Sequence, residues 1–309
     1  MSRLSLSIPL LSLASWVGLV GVACTNSQDN DPFADSTATT PVSTSDGSSG
    51  SMTAGSSDDA ADGTGATKLD VGGETGGVVE LAEVFGHSGT VLYRMDPDTK
   101  AVEEVGPFAG CDGSVIDIAL DENSQMFGST FGELYSIDRT TGACTLIATG
   151  DYPTSLSFVP AGTVDPNEEA LVGFVDEQYI RIDKQTGVST PLGTLSDGLI
   201  SSGDLVSVIG GGTWLTVYGP GCDTGDCIIE LDPTDGTIIQ NYGPLPYTQV
   251  FGLAFWAGRA YGFAREGVLF EIEFGATDVL TTEIPIPGAP AMLEFFGAGS
   301  TTSAPPAEG

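Results

Sequence analysis

Apolar and polar residues alternate in short segments that return every 40 to 50 residues along most of this chain. The clearest copies lie at 92–96, 134–138 and 179–183, and each is followed by a turn sequence such as RTTG or KQTG. Two weaker copies end at Asp232 and Glu273. Alternation is typical of a strand buried on one face, and Asp, Thr and Gly favour tight turns. The pattern predicts one β-hairpin in each repeat.

A second pair of short apolar segments lies between successive hairpins, for example 115–120 with 125–129 and 204–209 with 214–218. Four strands per repeat of this length is the composition of a β-propeller blade. Because no window shows a capped stripe with a 3.6-residue period, we expect almost no helix. The sequence therefore predicts an all-β propeller.

The two ends of the repeat region complete each other. Residues 79–85 have the pattern of a second strand without a first, and residues 291–296 have the pattern of one strand after the fifth hairpin. One C-terminal strand joined to three N-terminal strands would close the ring and remove its exposed edges. We predict a five-bladed propeller over 78–299 and a disordered tail over 300–309. A six-bladed ring or an open repeat array is the alternative.

The repeated LYxID segment, followed by a turn and TG, resembles the repeats of NHL-type and quinoprotein-like propellers. The resemblance covers about 220 of the 309 residues. It is architectural, so it implies the fold and carries no catalytic motif.

The N-terminal third has a different character. Residues 4–22 form an apolar run behind Arg3, and a small-residue site ends at Ala23, which predicts a signal peptide over 1–23. Cys24 follows directly. A small-residue site followed by cysteine resembles the lipobox of bacterial lipoproteins, in which this cysteine receives the lipid. Gly21 stands where that family usually has Leu, so ordinary cleavage after Ala23 is the alternative. The resemblance implies an exported outer-membrane lipoprotein that faces the periplasm or the cell surface; otherwise the protein is secreted and soluble.

Residues 24–77 are mostly Ser, Gly, Asp, Thr and Ala, a composition that predicts a disordered acidic tether. Acidity extends into the repeats, since residues 78–299 contain 32 acidic and seven basic residues. Such a surface repels phosphates and argues against nucleic acid as a partner. We therefore expect a monomer that meets the membrane only through its lipid anchor.

Four cysteines remain when Cys24 is set aside, an even number that an oxidising compartment could pair. Cys222 and Cys227 enclose only four residues, among them Gly225, which favours a tight disulfide loop. By elimination Cys111 pairs with Cys144. The strand assignment, however, puts these two on opposite faces of the ring, so the second pairing stays open.

The innermost strand of each blade should line the central channel, and its polar positions are the natural place for chemistry. Aligned, these positions are Asp117, Ser155, Asp204, Gly252 and Ala291. Asp117 and Asp204 could hold Ca²⁺, which prefers carboxylate oxygens, or act as acid and base in a carbohydrate-active hydrolase. Ordered water in a solvated channel is the third interpretation. We expect no resident cofactor apart from that Ca²⁺ alternative.

Catalytic motifs are scarce. The single histidine, His87, lies before the first hairpin at the expected rim, which leaves no Ser-His-Asp or Cys-His set. Tyr242 and Tyr247, in the segment YGPLPY, have the composition of an exposed contact surface. The leading hypothesis is a non-enzymatic binding or scaffold module whose partner is an unidentified protein or glycan, with the hydrolase as the alternative.

The lipoprotein hypothesis predicts a simple change of location. Wild-type protein should sediment with membranes, and C24S should move into the soluble fraction because the acceptor of the lipid is gone. Fractionation followed by immunoblotting measures this. A wild-type protein that is already fully soluble would contradict the hypothesis.

Overall fold

Five antiparallel four-stranded sheets form the domain. The computed structural model describes residues 83–307, and in this range there are strands and connecting loops without helix. The innermost strands of successive sheets lie side by side around one axis, and the last contacts the first. The sheets are therefore the blades of a closed propeller, which confirms the predicted all-β class and the count of five blades.

The strands follow one another along the chain with short connections. In chain order they are β1 (Val84–His87), β2 (Val91–Met95), β3 (Val102–Pro107), β4 (Asp117–Leu120), β5 (Met126–Ser129), β6 (Glu133–Ile137), β7 (Cys144–Thr149), β8 (Ser155–Val159), β9 (Ala170–Val175), β10 (Gln178–Ile182), β11 (Ser189–Thr194), β12 (Ile200–Ser207), β13 (Thr213–Tyr218), β14 (Cys227–Leu231), β15 (Ile238–Pro244), β16 (Val250–Trp256), β17 (Arg259–Ala264), β18 (Val268–Phe274), β19 (Val279–Ile284) and β20 (Gly297–Ser300).

Blade 1 combines both ends of the described chain, in the order β20-β1-β2-β3, and blades 2 to 5 are β4–β7, β8–β11, β12–β15 and β16–β19. The first strand of each group is the innermost one. Gly297 of β20 pairs with His87 of β1, so one C-terminal strand completes three N-terminal strands as the sequence predicted.

The closing strand lies six residues later than predicted. The segment 291–296 forms a turn and loop instead, in which Met292 is 90% exposed. The true strand has the sequence GAGS, whose small residues show no apolar alternation. Small residues are needed at the axis, because a Cβ on Gly299 would lie 3.0 Å from the backbone oxygen of Ile118. Steric crowding thus selected a segment that a hydrophobicity pattern does not reveal.

The domain also continues beyond its predicted end at residue 299. Ser300 belongs to β20, and Thr301, Thr302 and Ala304 are buried, where the sequence had predicted a disordered tail. The hydroxyl of Thr301 donates to the carbonyl of Asp121 (2.8 Å), and the carbonyl of Thr302 accepts the N–H of Ile209 (2.8 Å). The reason for the difference is that this polar segment is held by hydrogen bonds and not by apolar side chains. Residues 308–309, the predicted signal peptide, Cys24 and the tether lie outside the described residues.

Glycine in the second strand of four blades lets neighbouring layers approach closely. These residues occupy equivalent positions and are Gly86, Gly128, Gly173 and Gly262. A Cβ on Gly86 would lie 2.4 Å from the ring of Phe263 in blade 5. Blade 4 has Leu215 at this position. The next residue, Thr216, donates its hydroxyl to the carbonyl of Val250 (3.1 Å) in the next blade.

Both expected disulfides are present, Cys222–Cys227 and Cys111–Cys144. The second pairing had been in conflict with the strand assignment. The chain after β3 first runs beside the start of β7, where Ala109 pairs with Ala143 and the N–H of Cys144 donates to Ala109 (2.7 Å). The twist of the blades brings the end of β3 in blade 1 close to the β6–β7 turn in blade 2. Cys111 and Cys144 are therefore neighbours, with Cα atoms 5.2 Å apart.

Disulfides persist in oxidising compartments, and these two indicate an exported protein. The strands and loops of residues 83–307 include no helix with the length and hydropathy needed to cross a bilayer.

The buried C-terminal segment should contribute to stability. Ending the chain after Ser300 removes the side-chain and backbone bonds of Thr301 and Thr302, each worth about 0.5–1.5 kcal/mol. We expect this variant to unfold at a lower urea concentration than wild type. A chain ending after Ala304 keeps those bonds and is the matched control, which should behave like wild type. Equal midpoints for both truncations would contradict a stabilising role.

Candidate functional site

Five equivalent positions face the propeller axis, one on each innermost strand. They are Asp117, Ser155, Asp204, Gly252 and Gly297, as the pairing with the second strands shows. Sequence reasoning had found the first four. Its fifth, Ala291, is wrong because the closing strand begins six residues later.

Two carboxyl groups satisfy the backbone N–H groups that follow these five positions. Asp117 accepts from Ile118 (2.9 Å) with Oδ1 and from Leu156 (2.6 Å) with Oδ2. Asp204 accepts from Leu205 (2.6 Å) with Oδ1 and from Leu253 (2.6 Å) with Oδ2. The N–H of Ala298 on the closing strand lies close enough to Asp204 to lower its pKa. Each of the five blades therefore places one N–H beside the aspartate pair.

Glycine at two of the five positions relieves crowding at the axis, Gly297 beside the carboxyl group of Asp117 and Gly252 beside the closing strand. A Cβ on Gly297 would lie 2.3 Å from Oδ1 of Asp117, and a Cβ on Gly252 would lie 2.8 Å from the nitrogen of Ala298. Neither distance is tolerated by a real side chain. Asp, Ser, Asp, Gly and Gly at these five positions thus fit together in the limited space at the centre of the ring.

The two carboxyl groups are fully buried and hydrogen-bonded to each other, which requires one shared proton. Burial raises the pKa of Asp117 well above its usual value, and the nearby charge of Asp204 raises it further. Burial also raises the pKa of Asp204, but neighbouring N–H groups and the hydrogen bond with Asp117 oppose that effect. Asp204 therefore loses its proton before Asp117 does.

This arrangement bears on both chemical hypotheses for the pair. A cation would face the positive ends of five N–H groups, and residues 83–307 contain no cluster of three or more metal-ligating side chains. Calcium at Asp117 and Asp204 stays a prediction that these contacts disfavour. A glycosidase requires carboxyl groups roughly 5 to 10 Å apart around an accessible bond. Here the two groups touch and are closed to solvent.

His87 lies beside the pair and not at the rim where the sequence placed it. Its Nδ1 donates to the carbonyl of Ser88 (2.9 Å), and its ring packs edge-on against Phe108. Burial lowers the pKa of His87 to about 4, so the imidazole is neutral. Its Nε2 has no partner and lies 2.5 Å from the Cβ position of Gly297, which also borders Asp117. No sequence signal indicated this position, because it depends on the pairing of β1 with β20.

An apolar cavity of about 310 Å³ opens above the aspartate pair, at the end where the innermost strands begin. None of its lining residues is charged; they are Ser114, Ile116, Phe131, Thr154, Ser202, Gly203, Phe251 and Phe296. Phe131, on the β5–β6 loop, is 74% exposed. Gly203 directly precedes Asp204 and Phe296 directly precedes Gly297, so the aspartate pair lies under the cavity floor.

The opposite end of the channel is covered by the C-terminal segment. Thr301 binds the β4–β5 loop of blade 2 through Asp121. Thr302 donates to the buried carboxylate of Glu169 in blade 3 and accepts from Ile209 in blade 4. Access to the axis is therefore from the cavity end.

Tyr242 and Tyr247 are half-buried and join blades 4 and 5. The hydroxyl of Tyr242 donates to Glu230 (2.9 Å) while its ring packs on Phe274. Tyr247 donates to Glu283 (2.7 Å) and packs on Phe270. These contacts account for both tyrosines within the fold, and their role in contacts with another molecule stays a prediction.

Replacing each aspartate by asparagine should reveal where the proton lies. In D117N the amide still donates to Asp204, and one backbone N–H loses its acceptor, at a cost of about 1–3 kcal/mol. In D204N the amide replaces the carboxyl group that ionises first and faces the N–H groups of Leu205 and Leu253, so we expect a larger loss of unfolding free energy in urea titrations. A larger loss for D117N would place the proton on Asp204 instead.

The pH dependence gives a second measurement of the same pair. The folded protein keeps a proton on Asp117 that the unfolded chain releases above about pH 4. The stability contributed by Asp117 is therefore present at acid pH and is lost as the pH rises towards the raised pKa. The destabilisation by D117N should be smaller at pH 8 than at pH 4. The exposed-loop variant D223N is the control and should show no such trend.

Comparison with known proteins adds little beyond the architecture. No protein-family model matches the chain, and neither does any curated protein. Among solved structures, similar chains are hydrazine synthase of Kuenenia stuttgartiensis (11% identity, TM-score 0.36, 69% of this chain and 65% of that one) and the Cps50 (Swd1) β-propeller domain of Myceliophteria thermophila (10%, 0.38, 68% and 66%). A Bacteroides caccae protein of unknown function is similar at 9% identity and a TM-score of 0.36, over 69% of this chain and 76% of that one. The chain spans less than two thirds of the first two.

Proposed function

We propose that this propeller is a non-enzymatic binding module of the bacterial cell envelope, and that its ligand enters the apolar cavity at the mouth of the channel. The proposal is based on the uncharged, phenylalanine-lined cavity, which lies in a domain with a large negative net charge. A well-formed apolar pocket with a few polar groups is the usual form of a small-molecule site.

The exposure of Phe131 supports the proposal. This ring is 74% exposed at the cavity edge, where it contributes little to the core. Phe251 and Phe296 are half-buried in the same wall. Contiguous exposed apolar surface of this kind marks interaction sites in soluble proteins. A ligand that covers these rings removes apolar area from water and gains affinity from it.

The rigidity beneath the cavity also supports a binding role. Most residues of the cavity wall lie at the starts of the innermost strands. Contacts with the Asp117 and Asp204 carboxyl groups connect these strands across the blades. The C-terminal segment covers the far end of the channel. A pre-formed site loses little conformational entropy when a ligand binds.

A catalytic role finds less support in the site. None of the residues that line the cavity is a carboxylate, histidine, cysteine or lysine. The titratable groups Asp117, Asp204 and His87 are buried below the floor. General acid–base catalysis needs such groups within hydrogen-bond reach of a substrate.

We further propose that lipid on Cys24 anchors the module at the outer membrane and that residues 24–77 act as a tether. A flexible Gly/Ser-rich chain of this length has a root-mean-square span of roughly 40 Å. The two disulfides support export. A lipid anchor and a tether of this span would let the cavity meet ligands in the envelope.

Uptake of a neutral hydrophobic dye tests the cavity. The mature chain carrying C24S, free of lipid and detergent, should increase the fluorescence of N-phenyl-1-naphthylamine by taking it into the apolar pocket. T154W should abolish most of this increase, because Thr154 lines the cavity and the larger side chain fills it. Titration with the dye measures both proteins.

L280A is the matched control, since Leu280 is 66% exposed on outer strand β19, away from the cavity. It should bind the dye like the parent protein. Equal binding by T154W and the parent, or loss of binding in L280A, would contradict the cavity as the ligand site.

A further inference from the structure

The cavity combines two features that favour the same kind of ligand. Three phenylalanines line its wall, namely Phe131, Phe251 and Phe296. The faces of aromatic rings carry partial negative charge and attract cations, most strongly where water is excluded. An apolar cavity lined by such rings therefore favours an organic cation over a neutral molecule of the same shape.

The second feature is the charge of the surroundings. No basic residue lines the cavity. The negative field there comes from the domain as a whole, in which residues 78–299 hold 32 acidic and seven basic residues. Low-dielectric walls focus such a field into the cavity.

The basic residues of the domain do little to weaken that field near the cavity. Lys100 and Arg259 both bind Glu271 in blade 5. Arg94 and Arg139 both bind Glu83, whose side chain is 3% exposed. These cations are held by carboxylates of their own, and none of them reaches the cavity lining.

The same features exclude other ligand classes. An anion would be repelled by the acidic domain and would meet no positive side chain. A metal ion would need oxygen ligands that the phenylalanine wall does not supply. A sugar would need many hydrogen bonds, and the lining offers only the hydroxyls of Ser114, Thr154 and Ser202.

We propose that the channel-mouth cavity selects a small organic cation with an apolar shell, of the quaternary-ammonium or alkylated-amine class. The inference rests on the proposed binding function and adds the chemistry of the ligand. A quaternary ammonium group sheds water more easily than a metal ion, and its methyl groups pack against rings. At about 310 Å³ the cavity is at the small end of the range for ligand sites, which fits a compact head group.

A series of probes with one shape and three charges tests the inference. Choline, 3,3-dimethylbutan-1-ol and 3,3-dimethylbutanoate share a trimethyl head of the same size and are cationic, neutral and anionic. Each is titrated against N-phenyl-1-naphthylamine bound to the mature chain carrying C24S. We expect choline to displace the dye at about tenfold lower concentration than the alcohol at low salt, the scale of one partly screened charge interaction. The anion should be weakest.

Two further measurements separate the causes. Added salt should reduce the preference for choline because it screens the domain field. F131L keeps an apolar side chain and removes an exposed ring, so it should lower the choline preference more than it lowers the affinity for the alcohol. Ile239, 61% exposed on outer strand β15, offers the control I239L, which should leave the preference unchanged.

The outcomes distinguish the two proposals. If the dye binds and T154W blocks it, but choline and the alcohol compete equally, the cation inference is overturned and the binding cavity stands. If the parent protein takes up no dye and choline produces no heat of binding in calorimetry, both proposals fail. Stronger competition by the anion would also overturn the cation inference.

Discussion

The structure depends on one interaction at its centre, where five backbone N–H groups meet two carboxyl groups. Innermost strands of a propeller splay apart and cannot hydrogen-bond to one another along their length, so each leaves an N–H directed at the axis. Buried donors without acceptors would be costly. Asp117 and Asp204 accept four of them, and the fifth, the N–H of Ala298, lies beside Asp204. Gly297 leaves space for the carboxyl group of Asp117, and Gly252 leaves space for the closing strand.

The same interaction assigns the acidic pair to the framework of the ring and leaves the cavity as the site of the proposed binding function. A carboxyl pair that shares a proton and faces N–H dipoles has few lone pairs left for a metal or a substrate. It supplies a rigid floor. The cavity above it has apolar walls, an exposed phenylalanine edge and no charged lining residue. The proposed binding would therefore combine aromatic contact with a long-range electrostatic field.

Ring closure is reinforced at several places outside the axis. The C-terminal segment joins blades 2, 3 and 4 through Thr301 and Thr302. The buried carboxylate of Glu83 holds Arg139 of blade 2, and Lys100 of blade 1 binds Glu271 of blade 5. The Cys111–Cys144 disulfide ties the connection between blades 1 and 2 to an outer strand. Each contact joins segments that are distant in sequence. Such contacts stabilise the closed ring against separation of its blades.

Local sequence patterns determined the repeat, the hairpins, the number of blades and the Cys222–Cys227 loop, because alternation and turn residues act within a few positions of one another. They also identified Asp117 and Asp204 as axial residues. Tertiary structure alone decided what those residues do, since their partners Leu156, Leu253 and Ala298 come from other blades. It also decided the closing strand Gly297–Ser300, whose small residues are selected by crowding at the axis, and the cavity, which forms only where the ends of several blades meet.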